Sequence, residues 1–486
     1  MANDLFITKS IKDFADAGQV QELKRTLGPW ALTAIGIGGV IGTGIFVLTG
    51  PAAAQHAGPA IVLSFILAGL GCIFAGLCYA EFASMIPVSG SAYSYAYATL
   101  GEFVAWFIGW DLVIEYLFAA STVAVGWARY LGKLFQSFNL PYLPESLTSA
   151  PVVYIEETSR FQFTGAFVNL PAVLIVLIVG FVLYIGIKQS ALVNNIIVAI
   201  KVAIVLAVIG FGAMYMNTEY WHPFIPPNTG VWGEFGWSGV MRAAPIIFFA
   251  YIGFDAVSTA AQEAKNPRRD VPIGILASLL ICTVLYILMS GVLTGLMPYL
   301  QLNDAAPVAT ALMAHPELKW LVNWVIVGAL AGLSSVILCM MLAQTRIFYS
   351  MAKDGLIFKS LGNVHEKFKT PHVATLITTL VAAPVAGIFP IGLLAELVSV
   401  GTLCAFVVVC VGVLVLRYTR PDLERPFKVP AIWVVSLLGV LVCGGMALSL
   451  GWPNLIRLVG WALIGFVIYF MYGRKHSKLR ASKAAA

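Results

Sequence analysis

Long apolar stretches separated by short polar connections dominate this sequence. About 20 consecutive apolar residues carry an α-helix across a hydrocarbon core of roughly 30 Å. On that rule the pattern predicts twelve spans, at about 30–51, 61–86, 103–133, 166–187, 191–216, 240–262, 272–298, 319–348, 373–388, 391–417, 431–450 and 454–473. Long strands of alternating polarity are missing, which argues against a transmembrane barrel. The expected fold is all-α and membrane-integral. Among the connections, residues 87–102, with Tyr93, Tyr95 and Tyr97, read as a short interfacial helix. Residues 349–369 read as a second amphipathic helix, 134–165 as a long external loop, and 11–27 as a segment lying on the membrane surface.

Composition sharpens this picture. The 486 residues are 60% hydrophobic and 11% charged, where a soluble domain carries about 25% charged residues. The net charge of +6 does not imply nucleic acid, because the charges sit at the ends of apolar runs and form no basic stripe. Most of the 29 Lys and Arg residues fall on the side that an even number of spans gives to both termini. That bias places both termini in the cytoplasm of a multi-pass plasma-membrane protein. The polar first 26 residues lack the apolar stretch of a cleaved signal. All seven cysteines lie inside apolar runs and read as small buried hydrophobes. No His/Cys metal spacing, Ser–His–Asp set or phosphate-binding loop is present, so neither a metal site nor an enzyme is expected.

One span is unusual. Between Gly36 and Gly44 the first carries five glycines in nine positions, and each costs about 1 kcal/mol against alanine in a helix. Close packing between helices through Gly38 and Gly42 is one explanation. Unwinding at Gly42 is the other. It frees N–H groups near Thr43, Gly44 and Ile45 for a carboxylate, and carbonyls on the other side of the break for an ammonium. The sixth span has a matching interruption in Phe248-Phe249-Ala250-Tyr251-Ile252-Gly253-Phe254-Asp255. Paired breaks in corresponding spans point to an inverted-repeat transporter with a midplane site.

The motif around Gly253-Phe254-Asp255, followed by Glu263-Ala264-Lys265-Asn266-Pro267-Arg268-Arg269 and Val271-Pro272, resembles amino acid permeases of the amino acid–polyamine–organocation superfamily. The stretch from Leu23-Lys24-Arg25-Thr26 into Gly42-Thr43-Gly44-Ile45-Phe46, with Pro87-Val88-Ser89-Gly90, is similar to its cationic amino acid transporter branch. The resemblance implies two inverted five-helix repeats, about 30–216 and 240–417, within a core at 29–417. An N-terminal segment (1–28), two further helices (418–473) and a tail (474–486) complete the chain. It also implies that Val40, Ile41, Thr43, Gly44, Phe249, Ala250 and Ile252 touch the backbone of an amino acid.

Charges inside spans are functional candidates, because each costs at least about 2.5–3.5 kcal/mol at mid-membrane on insertion scales. Lys201, in the fifth span, reads either as a snorkelling lysine or as the carrier of a coupling proton, since burial disfavours the charged form. Ser334 and Ser335 in the eighth span look like remnants of a sodium site. Glu115, one turn from Asp111 in the third span, could face a cationic substrate side chain or form a structural pair. Asp255 reads as a structural hydrogen-bonding group and Glu81 as interfacial. Glu263 and Arg268 read as a gate or an interfacial loop, and Phe249 and Phe254 as gate or packing aromatics. The expected function is secondary active amino acid transport, neutral or cationic, with a proton as the coupling ion. Exchange, sodium coupling and a transporter-derived sensor remain as alternatives. A channel would favour continuous pore-lining helices. The expected partners are the substrate and the lipid bilayer, and a membrane-embedded regulator, sterol or lipid contact has no sequence signal.

Overall fold

The computed structural model describes residues 5–10, 27–86, 91–155, 160–186, 191–304 and 306–485. The surface reading of residues 11–26 and the Pro87–Gly90 part of the motif lie outside the described residues. Helices follow the apolar pattern closely. They are α1 (Pro29–Val40), α2 (Ile61–Met85), α3 (Glu102–Ser137), α4 (Leu170–Ile185), α5 (Ala191–Ala213) and α6 (Gly236–Phe248), followed by α7 (Pro267–Leu296), α8 (Lys319–Lys353), α9 (His372–Ile388), α10 (Ile391–Thr419), α11 (Ile432–Ser449) and α12 (Trp452–Ile468). Among the described residues, nine helical stretches are long and apolar enough to cross a membrane. One of them, Pro29–Met85, holds both α1 and α2, while α4 and α9 are shorter apolar helices.

Local chemistry sets several ends. Proline at the first turn starts α1, α4, α7 and α12, where its missing N–H costs nothing. The Asn169 side chain caps α4 by accepting the Ala172 N–H at 3.3 Å. Gly186 closes the same helix with φ +76°, a conformation open to glycine. Within α3 the ladder widens to a π-helical turn at Ile114–Phe118, and such bulges favour functional sites.

The packing is ordered in pairs. Helix α2 lies on α7, α3 on α8, and α4 on α9, while α1 runs between α5, α7 and α8. Helix α11 packs on α10 and α2, and α12 on α3 and α10. Reciprocal bonds tie α12 down: Trp110 donates its indole N–H to the Trp461 carbonyl at 2.9 Å, and Trp461 returns one to Trp110 at 3.1 Å. Their rings stack at 4.6 Å.

Four sequence expectations change here. The helix Ser91–Thr99 is not exposed on the surface: Ser91 through Tyr97 are all buried, and its tyrosines pack into the protein. After α8 there is no separate amphipathic helix, because α8 itself runs to Lys353 and only a short turn, Lys359–Gly362, follows. The connection between α3 and α4, read as a plain loop, holds two antiparallel strands, β1 (Val152–Ile155) and β2 (Arg160–Phe163). Finally, Glu81 is not solvated. Its side chain is fully buried, receives two bonds from Arg417 (2.9 and 2.6 Å), accepts the Val429 N–H at 2.8 Å and lies 3.4 Å from Arg425. Apolar neighbours make the carboxylate's position visible only in three dimensions. Removing one partner of a buried pair typically costs about 3–5 kcal/mol. Glu81→Ala is therefore expected to lower the melting temperature in detergent sharply, with Glu81→Gln less affected because it keeps an acceptor for Val429.

Candidate functional site

The glycine run does break the first span. Helix α1 ends at Val40, and Ile41 turns to an extended conformation with ψ 103°. The chain re-enters helix at Thr43, and the Phe46 N–H donates back to Gly42 C=O at 3.3 Å. The amides just after the break are thus the opening N–H groups of a new helix, which have no partner within it. In the sixth span, α6 runs through a tight turn, Phe249–Tyr251, into extended Ile252 (ψ 133°) and Gly253 at φ +114°. That φ demands glycine.

The breaks meet backbone to backbone. A Cβ on Gly253 would lie 2.9 Å from the Gly39 carbonyl. A Cβ on Gly44 would lie 2.2 Å from Ala250 Cα. Side chains at either point would push the two segments apart, so the glycines serve the junction between the breaks as well as the break itself.

Three carbonyls at the end of α1 find unusual donors. The Lys201 ammonium, 1% exposed, donates to Gly38 O at 2.7 Å and Ile41 O at 3.1 Å. This overturns the snorkelling reading, since the side chain runs inward to the break. Tyr286 from α7 lies 2.9 Å from both Val40 O and Ala250 O, one carbonyl from each broken span. A hydroxyl has a single proton, so it bridges the breaks by serving one carbonyl at a time. Tyr286 lies in an apolar run, and no local signal in the sequence marks it. Ser334 and Ser335 bond their own helix, at Leu330 O (2.8 Å) and Gly332 O (2.9 Å).

Beside the breaks lies a small cavity. Gly39, Val40, Gly42, Thr43 and Gly44 form one wall, and Phe249 and Ile252 another. Ala119 and Val123 of α3 and Val336 and Met340 of α8 complete it. The α8 pair went unassigned from sequence, as nothing marks which face of a long apolar helix points inward. Thr43 is the polar side chain here, and its hydroxyl is buried without a partner among the described residues. Of the residues expected to touch substrate, Val40, Thr43, Gly44, Phe249 and Ile252 line the cavity, whereas Ile41 and Ala250 stand behind it.

Glu115 is not among the lining residues; Ala119, one turn further along α3, takes that place. Glu115 and Asp111 are buried, with no hydrogen-bond partner on their carboxylates among the described residues. Asp255 accepts from Tyr116 and, at 3.3 Å, from Ser91, tying the second half of the sixth span to α3 and the Ser91–Thr99 helix. Phe254 is fully buried against Tyr79 and Phe406, at 5.8 and 5.2 Å, and does not reach the cavity. Leu27 pairs with the segment after the sixth span, donating to Glu263 O at 3.0 Å and accepting from Lys265 at 2.8 Å, and Arg346 lies 3.7 Å from Glu263.

A sequence profile described as amino acid permease matches residues 27–472. The branched-chain amino acid permease BcaP of Bacillus subtilis is 45% identical over 481 residues, 99% of this chain and all of that one. The methylthioribose transporter of the same organism is 44% identical over 479 residues, 98% and 99% of the two chains. The vacuolar cationic amino acid transporter 4 of Arabidopsis thaliana is 38% identical over 401 residues, 82% of this chain and 64% of that one. The branched-chain permease of Bacillus subtilis is thus more similar to this chain than the Arabidopsis cationic transporter is. With paired breaks around a small cavity and a profile match across nearly its whole length, the chain belongs to the amino acid permease family of the amino acid–polyamine–organocation superfamily.

Proposed function

We propose that this protein is a secondary active transporter of neutral amino acids with apolar side chains, driven by protons through alternating access. The observation that carries the reading is the cavity's division of labour: broken backbone on one side, apolar side chains on the other, and no charged residue in the lining. The substrate carboxylate meets the N–H groups that open the second half-helix near Thr43 and Gly44, where the helix dipole is positive. The ammonium faces carbonyls at the end of α1 and at the turn of the sixth span. Val123, Val336, Met340 and Phe249 surround the side chain.

The pairing of α2 with α7, α3 with α8 and α4 with α9 supports a twelve-span arrangement built on two five-helix repeats, since a two-fold between the halves sets each helix against the one five places on. The distribution of Lys and Arg supports an orientation with both termini in the cytoplasm, in a plasma-membrane protein. Lys201 carries the coupling proton: the ammonium holds the end of α1 through two charge-assisted bonds to carbonyls, and the neutral amine, without its charge, holds it more weakly.

A second reading rests on the 44% identity to the methylthioribose transporter, nearly equal to that of the branched-chain permease. A thioether sugar has no carboxylate or ammonium for the two breaks. Uptake into proteoliposomes, with leucine, isoleucine, valine, alanine, arginine and methylthioribose offered separately under an inside-alkaline gradient, separates the two. Branched-chain uptake supports the proposal; methylthioribose uptake without amino acid uptake overturns it. Because Glu115 lies outside the lining, Glu115→Gln is expected to leave the ratio of arginine to alanine uptake unchanged.

A further inference from the structure

The hairpin between α3 and α4 is short, yet it exposes several large apolar side chains. Strand pairing sets Val152 opposite Phe163 and Tyr154 opposite Phe161, so these four residues share one face. Tyr154 and Phe161 touch ring to ring, with centroids 5.2 Å apart. Phe161 is 53% and Phe163 89% exposed, and Phe167, just before α4, is 77% exposed. A soluble loop would not hold this much aromatic surface in water.

The depth of the hairpin is fixed by one contact. The Arg457 guanidinium of α12 sits over the Tyr154 ring at 4.2 Å, and the same side chain donates to Asn454 at 2.7 Å. Arg457 lies five residues into α12, about 7.5 Å along the axis from Trp452 at the usual rise per residue. Its bond to Asn454 turns the side chain back toward the start of the helix, so the aromatic face of the hairpin is level with the first turn of a membrane-crossing helix. Beside that turn, Trp452, Ile456 and Val459 of α12 are 76, 66 and 57% exposed. On the α4 side, Leu174 and Ile178 are likewise uncovered by protein. The hairpin continues a surface that already faces lipid.

We infer that the Phe161–Phe163 face of this hairpin is a membrane-interface anchor, seated in the headgroup layer above the lipid-facing surface of α12. The amphipathic rings of Tyr154 and Trp452 suit that layer, and the phenylalanines supply apolar area to the boundary between headgroups and chains. Its occupant is the bilayer, and the anchor holds the outer ends of α3, α4 and α12 at one depth while other helices move.

Site-directed spin labelling of the full chain in phosphatidylcholine/phosphatidylglycerol vesicles tests this. Phe163→Cys carries the label; Val459→Cys serves as a lipid-facing reference, Thr229→Cys, in the loop between α5 and α6, as an aqueous one, and the unsubstituted protein as the blank for native cysteines. Because Phe163 is nearly fully exposed, its substitution leaves the packing intact. The expected result is a ratio of oxygen to water-soluble nickel chelate collisions at position 163 that is several-fold above that at 229 and below that at 459. Accessibility to the chelate equal to that at 229 would overturn the proposal. So would dipolar broadening between labels at 163, which would assign the face to a second copy of the chain.

Discussion

Replacing Lys201 with glutamine is expected to abolish amino acid accumulation driven by a pH gradient while leaving substrate exchange measurable. Glutamine keeps an N–H donor for the carbonyls of Gly38 and Ile41, the contacts Lys201 makes at 2.7 and 3.1 Å, but it has no proton to give up. The two roles of the residue thereby separate. If Lys201 only braced the broken helix, the glutamine variant would still concentrate substrate when the outside is acidified. Lys201→Ala removes both roles. It leaves Gly38 and Ile41 carbonyls buried without their donor, and an unmade bond of this kind costs about 1–3 kcal/mol. Its expected phenotype is loss of accumulation together with lower thermal stability. Uptake and counterflow in the same proteoliposomes check both variants, and unchanged pH-driven uptake in either would remove Lys201 from the coupling step.

The second large effect is steric. Gly44→Ala places a methyl carbon 2.2 Å from Ala250 Cα, a backbone atom that cannot rotate aside. Overpacking of this kind costs about 1–3 kcal/mol when the surroundings can shift, and here the shift separates the two breaks that form the site. Substrate binding should fall by at least about tenfold, the equivalent of 1.4 kcal/mol. Gly42→Ala is the internal control. Its Cβ meets a methyl of Val336 at 3.2 Å, and a side chain on α8 can give way by a few tenths of an ångström. The expected order is a severe loss at Gly44 and a mild one at Gly42, read by a thermal-shift titration with substrate. Equal effects would mean that the glycines matter only for unwinding.

The difference between these two glycines marks how far the sequence could be read. The run from Gly36 to Gly44 exposed the break because glycine acts locally, through the backbone it occupies. The positive φ at Gly253 was legible for the same reason. Helix positions were legible from apolar length, since lipid demands it of every span. What stayed hidden depends on distant contacts. Tyr286 joins Val40 and Ala250 from a helix with no unusual local feature. Val336 and Met340 face inward on a helix that is apolar on most sides. Glu81 looked interfacial because its partners, Arg417 and Arg425, lie more than 330 residues away in the chain. Glu115, read as facing a cationic substrate side chain or forming a structural pair, lies one turn before Ala119, the residue of that face that lines the cavity. Which face of a helix points inward, and at which turn, is what pattern alone leaves undetermined.

The central claim is that the two broken helices hold both charged ends of an amino acid while the apolar wall holds its side chain. Competition in proteoliposomes isolates each part. Leucine uptake is measured against isoamylamine, which keeps the side chain and the amine but lacks the carboxylate, and against 4-methylpentanoate, which lacks the amine. The account predicts strong inhibition by unlabelled leucine and isoleucine, and none by either analogue at the same concentration. Inhibition by isoamylamine or 4-methylpentanoate as strong as that by leucine would contradict it, because one of the two helix breaks would then have no part in binding.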